Sequence, residues 1–227
     1  MNEAKGRQLL REVKASAISG GPALSVPVGN PIEAILRPVA TRSNATNPGD
    51  VRVLTEWRNR FVNAFLGEFE ANEARTARWL TEQVASDDSR ILFMLDDITG
   101  RTLGYMGLAF IDWENLSGEA DAIVRGLECA PGLMTRALRT LLSWAHAQLG
   151  LTTLGVRVRS DNSALEFYRK FGFAEVRRVP LRRTQNGNEV LWVEDESIDS
   201  DVSLVHMVLE SGHPSISRGV PDATGSS

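Results

Sequence analysis

The sequence predicts an α/β (α+β) domain with a central mixed, mostly antiparallel sheet flanked by helices. Three observations predict it. Segments of two-residue apolar period alternate with segments of helical period, in the order β-α-α-β-β-β-α-β-α-β-β. The turn Asp96-Asp97-Ile98-Thr99-Gly100-Arg101 joins two apolar runs as a hairpin. The chain has 227 residues, 42% hydrophobic and 24% charged, which suits one globular domain with an ordinary core.

The elements follow in order. Leu9, Leu10, Val13 and Ile18 among charges suggest a short amphipathic helix over 3–18, and Gly20-Gly21-Pro22, Pro27, Gly29 and Pro31 read as a linker. Residues 1–31 are thus expected to be an N-terminal extension, mobile or a short helix, with the domain at 32–210 and a disordered tail at 211–227. Ala34 to Val39 is a strand. Asn47-Pro48-Gly49-Asp50 caps a helix through Leu54, Trp57 and Phe61, and a second helix covers Glu73 to Ala85. Arg90–Leu95, Leu103–Asp112 and Gly118–Arg125 read as strands. Pro131–Leu149 keeps helical spacing through Leu133, Ala137, Leu138, Leu141, Leu142 and Ala145. Thr153–Arg159 alternates as a strand. Ser160 or Asp161 is expected to cap a helix that Gly172 ends after Phe171, and the strands Phe173–Leu181 and Val202–Leu209 complete the chain.

Composition narrows the function. No run of about 18 apolar residues exists, and the first residues lack the apolar core of a secretory signal, so a cytoplasmic protein without a membrane span is expected. A net charge of −4 argues against non-specific nucleic-acid binding. One cysteine makes neither an internal disulfide nor a cysteine zinc site, and no metal is expected. The charge is uneven. Residues 121–183 hold eleven Lys/Arg against five Asp/Glu, while Glu194, Asp195, Glu196, Asp199 and Asp201 form an acidic run. A basic segment in an acidic chain suits a small polyanion such as a phosphorylated cofactor, and equally a solvated face.

Two stretches carry candidate chemistry. At Arg125-Gly126-Leu127-Glu128-Cys129-Ala130-Pro131-Gly132-Leu133-Met134-Thr135 a strand ends and a helix begins. The first N–H groups of a helix lack internal partners and attract phosphate, although a plain strand-to-helix turn needs Gly and Pro just as much. The second stretch is Ser160-Asp161-Asn162-Ser163-Ala164-Leu165-Glu166-Phe167-Tyr168-Arg169-Lys170-Phe171-Gly172-Phe173. Here Asn162 can bond an extended amide ligand and the Tyr168 hydroxyl can protonate a departing thiolate. Phe167, Tyr168 and Phe171 also suit a simple core face.

This second stretch resembles the C-terminal half of the GNAT N-acetyltransferase superfamily, in which Asn, Ala, Tyr and a Gly-Phe pair recur in this order. The preceding loop, with Gly132-Leu133-Met134-Thr135-Arg136-Ala137-Leu138, resembles that family's acetyl-CoA pyrophosphate loop. Ala130 stands where the family has its first glycine and Leu127 where it has Gln or Arg; Arg125 and Arg136 lie nearby. The resemblance covers about Ile35 to Leu209 and implies a single GNAT-like domain. It implies acetyl-CoA or another acyl-CoA as donor, held by Ala122, Ile123, Val124, Arg125, Gly132, Leu133, Met134, Thr135, Asn162, Ala164, Phe167, Tyr168 and Lys170. It also implies direct attack by an amine, with Tyr168 as the acid. Glu119 and Asp121 share one strand face and are candidate bases, as are Asp112 and Glu114 at the end of the preceding strand; His206 is an outside candidate, and a covalent role for Cys129 is not needed. Trp57-Arg58-Asn59, with Asp112, are the candidate acceptor residues. Trp57-Arg58-Asn59 resembles a branch that acetylates ribosomal-protein alanine or nucleotide-linked amino sugars. The resemblance therefore implies a small-molecule amine acceptor, such as a nucleotide-linked amino sugar, in a monomer or homodimer. A protein N-terminus as acceptor and a CoA-sensing module without turnover are the alternatives.

Overall fold

The computed structural model describes residues 3–17 and 23–210. Their helices are α1 (Glu3–Ser16), α2 (Pro48–Arg60), α3 (Glu73–Arg78), α4 (Leu133–Trp144) and α5 (Ala164–Phe171). α3 runs on as a π-helical turn, Trp79–Val84, and α4 as another, Ala145–Leu149. The strands are β1 (Val26–Val28), β2 (Ala34–Pro38), β3 (Gly67–Glu68), β4 (Ile91–Asp97), β5 (Thr102–Asp112), β6 (Ser117–Arg125), β7 (Thr153–Arg159), β8 (Phe173–Asn186), β9 (Glu189–Glu194) and β10 (Ser203–Leu209).

They form one sheet in the order β1-β2-β4-β5-β6-β7-β10-β8-β9-β3. Every neighbouring pair is antiparallel except β6 and β7. A parallel pair needs a long crossover, and α4 supplies it. The strand alternation splits the core between two faces. One buries Phe93, Met106, Leu108 and Ala120 with α1, α4 and α5. The other buries Leu92, Met94, Tyr105 and Val124 with α2 and α3.

Local chemistry fixes the helix ends. Asn47 Oδ1 accepts the Gly49 N–H (2.8 Å) ahead of Pro48, the predicted cap. The π-turn after α4 stops at Gly150, whose φ of 79° suits glycine alone at little cost. Helix α1 packs on the π-turn after α4, burying Leu10 and Val13. A Cβ on Gly6 would come within 2.1 Å of the Leu149 carbonyl oxygen, so the two helices touch backbone to backbone. Lys14 Nζ donates to the carbonyls of Val84 (2.6 Å) and Asp87 (2.9 Å), tying α1 to the end of α3.

The structure departs from expectation at several points. The sheet begins at Val26, inside the stretch read as a linker, and Val28 is fully buried. Ile18 to Pro22, the end of the predicted first helix and the start of that linker, and 211–227 lie outside the described residues. β8 extends to Asn186 and turns back as β9, which pairs with β3. Helix α5 starts at Ala164 rather than after Ser160 or Asp161. Ser160 Oγ instead accepts the Ser203 N–H, and Asp161 is held by Arg159. Among the described residues no helix is long and apolar enough to cross a membrane.

Candidate active site

The site is built where the parallel pair comes apart. β6 and β7 are paired only from Ser117 opposite Thr153 to Ala120 opposite Val156. Beyond that point Arg157, Val158 and Arg159 are paired with β10, and β6 stays with β5. A bulge drives the separation. Tyr105 faces Val124 and Gly107 faces Asp121, so Ala122 and Ile123 together oppose Met106, and Ala122 has φ 53°. A bulge bends its strand and re-aims the side chains beside it. The backbone of β6 from Asp121 to Arg125 is left unpaired on the side towards β7. An unpaired strand edge inside a sheet accepts an extended, amide-bearing ligand as an added strand.

β6 leads into the loop before α4. The N–H groups of Gly126 and Leu127 both donate to Leu103 O (3.0 and 2.9 Å), which anchors the loop. Gly132 takes φ 76° at the N-cap. The Leu133 N–H donates to Ala130 O (3.0 Å), and the Arg136 N–H makes the first i→i−4 bond, to Gly132 O (3.0 Å). The N–H groups of Met134 and Thr135 precede that bond and point out of the helix start. Arg136 pairs with Glu33 (2.6 Å), and Arg125 is exposed. An extended ligand carrying phosphate at one end fits this combination of open strand edge and helix start.

Two tyrosines lie within reach of the Asp121 charge. Asp121 lies at the point where pairing stops, opposite Gly107 and on the face that carries Tyr105. Tyr168 projects from α5, packed edge-on against Phe167 and Phe173 (5.4 and 5.9 Å between ring centroids). Burial pushes the Tyr168 hydroxyl above the ordinary tyrosine range, and the charge of Asp121 pushes it further. Burial does the same to Tyr105; the Arg58 charge opposes the rise and the Asp121 charge adds to it. Both tyrosines are therefore O–H donors throughout the neutral range. Glu119, on the same face, is already engaged: it pairs with Arg157 (2.6 Å), whose guanidinium lies 3.8 Å over the Phe110 ring.

Two segments distant in the chain are tied together beside the end of β7. Arg159, at the end of β7 and only 6% exposed, grips Asp161 with two bonds (3.0 and 2.7 Å). It also donates to Glu68 (2.7 Å) and lies 4.4 Å over the Trp192 ring. The Trp192 indole N–H donates to the same Glu68 carboxylate (2.7 Å), and its backbone N–H donates to Leu66 O (2.8 Å). Arg58 is sandwiched between Phe65 and Phe69 and donates to Gly67 O. Burial lowers its basicity. Asn59 binds the backbone of Ala71 from both ends of its amide (2.9 and 2.8 Å). Residues 61–72 and the β8–β9 hairpin are thus tied to each other through Glu68, Trp192 and Arg159.

This arrangement has known counterparts. Residues 42–174, more than half of the chain, match the family described as the acetyltransferase (GNAT) domain. The chain belongs to the GNAT acetyltransferase family. Its fold is shared by a spermidine N-acetyltransferase from Vibrio cholerae solved with CoA and spermine. That likeness has a TM-score of 0.61 at 16% identity, over 78% of this chain and 95% of that one. A probable GNAT-family acetyltransferase from Chromobacterium violaceum gives 0.62 at 16% identity, over 85% and 89%. No curated protein matches the chain significantly in sequence.

In this GNAT acetyltransferase Asp121, Ala122, Ile123 and Val124 lie at the bulge, Gly132, Leu133, Met134 and Thr135 form the start of α4, and the Asp121 charge is felt at Tyr168. Asn162 caps the first turn of α5, its Oδ1 accepting the Ala164 N–H (2.9 Å); Lys170 is exposed on that helix. Asp112 lies at the opposite end of β5, opposite Ser117, where its carboxylate accepts the N–H groups of Glu114 and Asn115. Trp57 is buried against Tyr105, and Asn59 is used by Ala71. His206 pairs with Glu194, His146 bonds Leu151 O, and Cys129 is half-buried beside the core. Tyr105, Arg159 and Trp192 were not singled out from the sequence. Tyr105 sits in an apolar run, where its ring reads as core.

Proposed function

We propose that this chain transfers an acyl group from acyl-CoA to the primary amine of a small molecule, with Asp121 as base and Tyr168 as acid. The observation that carries this reading is the open β6 edge, with Asp121 just past the point where pairing stops and its charge felt at Tyr168. Acyl-CoA, when bound, supplies the activated carbonyl carbon. The β6 edge at Ala122–Val124 aligns the amide-bearing arm, and the α4 N–H groups with Arg125 receive the phosphates. A β6 backbone N–H stabilises the negative charge that grows on the thioester oxygen. Asp121 takes a proton from the ammonium, freeing the nitrogen lone pair. The new C–N bond forms as the C–S bond breaks, and Tyr168 gives its proton to the sulfur. The second proton leaving the nitrogen restores Tyr168, and the one on Asp121 passes to solvent.

The acceptor we favour is a small amine without phosphate. The arginines after Phe173, the candidates to hold an acceptor phosphate, are mostly engaged: Arg177 with Glu196, Arg178 with Glu175, and Arg182 with Asp195. A phosphate would have to displace those carboxylates. The paired acids also account for the uneven charge, because the acidic run folds back onto the basic one. The reading includes a cytoplasmic setting and a monomer or homodimer.

The test is a thermal-shift titration with acetyl-CoA, followed by assay of CoA thiol release with a panel of primary amines. A saturable rise in Tm is expected, growing as the logarithm of ligand concentration. Thiol release with an amine, absent without it, completes the expected result. No shift at millimolar acetyl-CoA would overturn the assignment.

A further inference from the structure

Tyr105 is a buried side chain with an unused polar end. The residue is 4% exposed and its ring stacks on Trp57, with centroids 6.2 Å apart and planes within 11°. Among the described residues its hydroxyl makes no hydrogen bond, yet it is not one of the fully enclosed orphan atoms, so it opens onto space at the surface. A buried ring costs nothing as phenylalanine, whereas a hydroxyl without a protein partner implies water or a ligand as its partner. Register and packing show where it opens. On β5, Tyr105 is two residues from Gly107, which faces Asp121, and directly opposite Val124, just past the bulge. Arg58 lies on its other side, fixed to Gly67 O and held between two phenylalanine rings.

We propose that the Tyr105 hydroxyl is the acceptor-side partner of Asp121, accepting an N–H of the incoming amine while donating its own O–H towards the carboxylate. This rests on the acyl-transfer reading above. The division of labour follows from the two faces. Tyr168 reaches the opening from the α5 side and serves the leaving sulfur; Tyr105 reaches it from the α2 side and serves the nitrogen. The acceptor class follows too. A hydroxyl and a carboxylate offer two acceptors to one nitrogen, which a primary ammonium with three N–H donors fills and a tertiary ammonium with one does not. Burial keeps the Tyr105 O–H protonated at neutral pH, so its donor role is fixed.

The chain has two tyrosines, and both are at this site, which makes the test direct. Full-length protein labelled with 13C at tyrosine Cζ gives two resonances, assigned with Tyr105→Phe. CoA is titrated first, then propylamine as the minimal primary amine. CoA is expected to shift the Tyr168 signal, and propylamine the Tyr105 signal. In Asp121→Asn the propylamine shift is expected to fall away. In thiol-release assays with propylamine, Tyr105→Phe is expected to raise the amine KM about tenfold, leaving the acetyl-CoA KM unchanged. Its melting temperature should stay at the wild-type value, because no protein hydrogen bond is lost. If CoA shifts Tyr168 but propylamine leaves Tyr105 in place, the role of Tyr105 is overturned and the acyl-transfer reading stands. If CoA shifts neither tyrosine, the acyl-transfer reading fails and the proposal with it.

Discussion

Asp121→Asn is expected to lower kcat/KM for the amine by about 10²–10⁴-fold, the usual contribution of a positioned general base. Asparagine keeps the shape and removes the proton acceptor. The loss should be steepest near neutral pH, where the amine arrives as ammonium, and should shrink as pH rises and free amine becomes available. Tyr168→Phe is expected to cut kcat by about 10²-fold with acetyl-CoA affinity intact, since the ring packing on Phe167 and Phe173 is preserved. The sign of the pH effect follows from the environment of Tyr168. An acid acts in its protonated form, and burial with the Asp121 charge raises the pH at which Tyr168 loses its proton. Wild-type kcat should therefore show no fall from neutral pH to about pH 10, the ordinary tyrosine value. Steady-state kinetics across that range, with stopped-flow thiol detection, measure both. Equal turnover in the variants would remove Asp121 and Tyr168 from the chemistry.

Trp57→Ala is expected to cost about 3–5 kcal/mol of folding stability, read by chemical denaturation. Trp57 is 2% exposed, at the centre of the core between α2 and the sheet. It is also the surface on which the site is moulded. A Cβ on Gly126 would fall 2.1 Å from the indole Cε2, so β6 can turn into its loop only by passing directly beneath the ring. Gly126→Ala is accordingly expected to cost about 1–3 kcal/mol through overpacking. Both changes should also reduce turnover at temperatures where the protein is folded, because the ring supports Tyr105. A cost under about 1 kcal/mol for Trp57→Ala would mean that the α2 face collapses freely around the gap.

The elements most legible in the sequence are those whose signals are local. The Asn47 cap, the 96–101 turn, the Thr153–Arg159 strand and the long helix ending at Gly150 follow from neighbouring residues alone. The short strands do not. β1, β3 and β9 exist because a partner from elsewhere in the chain lies alongside them, and β3 is two residues long. The start of α5 shows the same competition. Asp161 and Ser160 both suit an N-cap, but Arg159 and the Ser203 N–H claim them, leaving Asn162 to bond the Ala164 N–H. Among the proposed site residues, Tyr168 and Asp121 carry readable signals, through a motif and through strand alternation. Tyr105 had none, because an unused hydroxyl is visible only once the packing around its ring is known.

The unit held together by Arg159 limits how this protein can be re-engineered. Its two halves, 61–78 and the β8–β9 hairpin, are far apart in the chain but share the Glu68 carboxylate, the Trp192 indole and the Arg75–Glu189 ion pair (2.6 Å). Grafting either half from a relative with another acceptor would strand a buried guanidinium opposite a foreign surface. The two segments therefore change only as a matched set, and directed evolution on this scaffold should co-mutagenise both in one library.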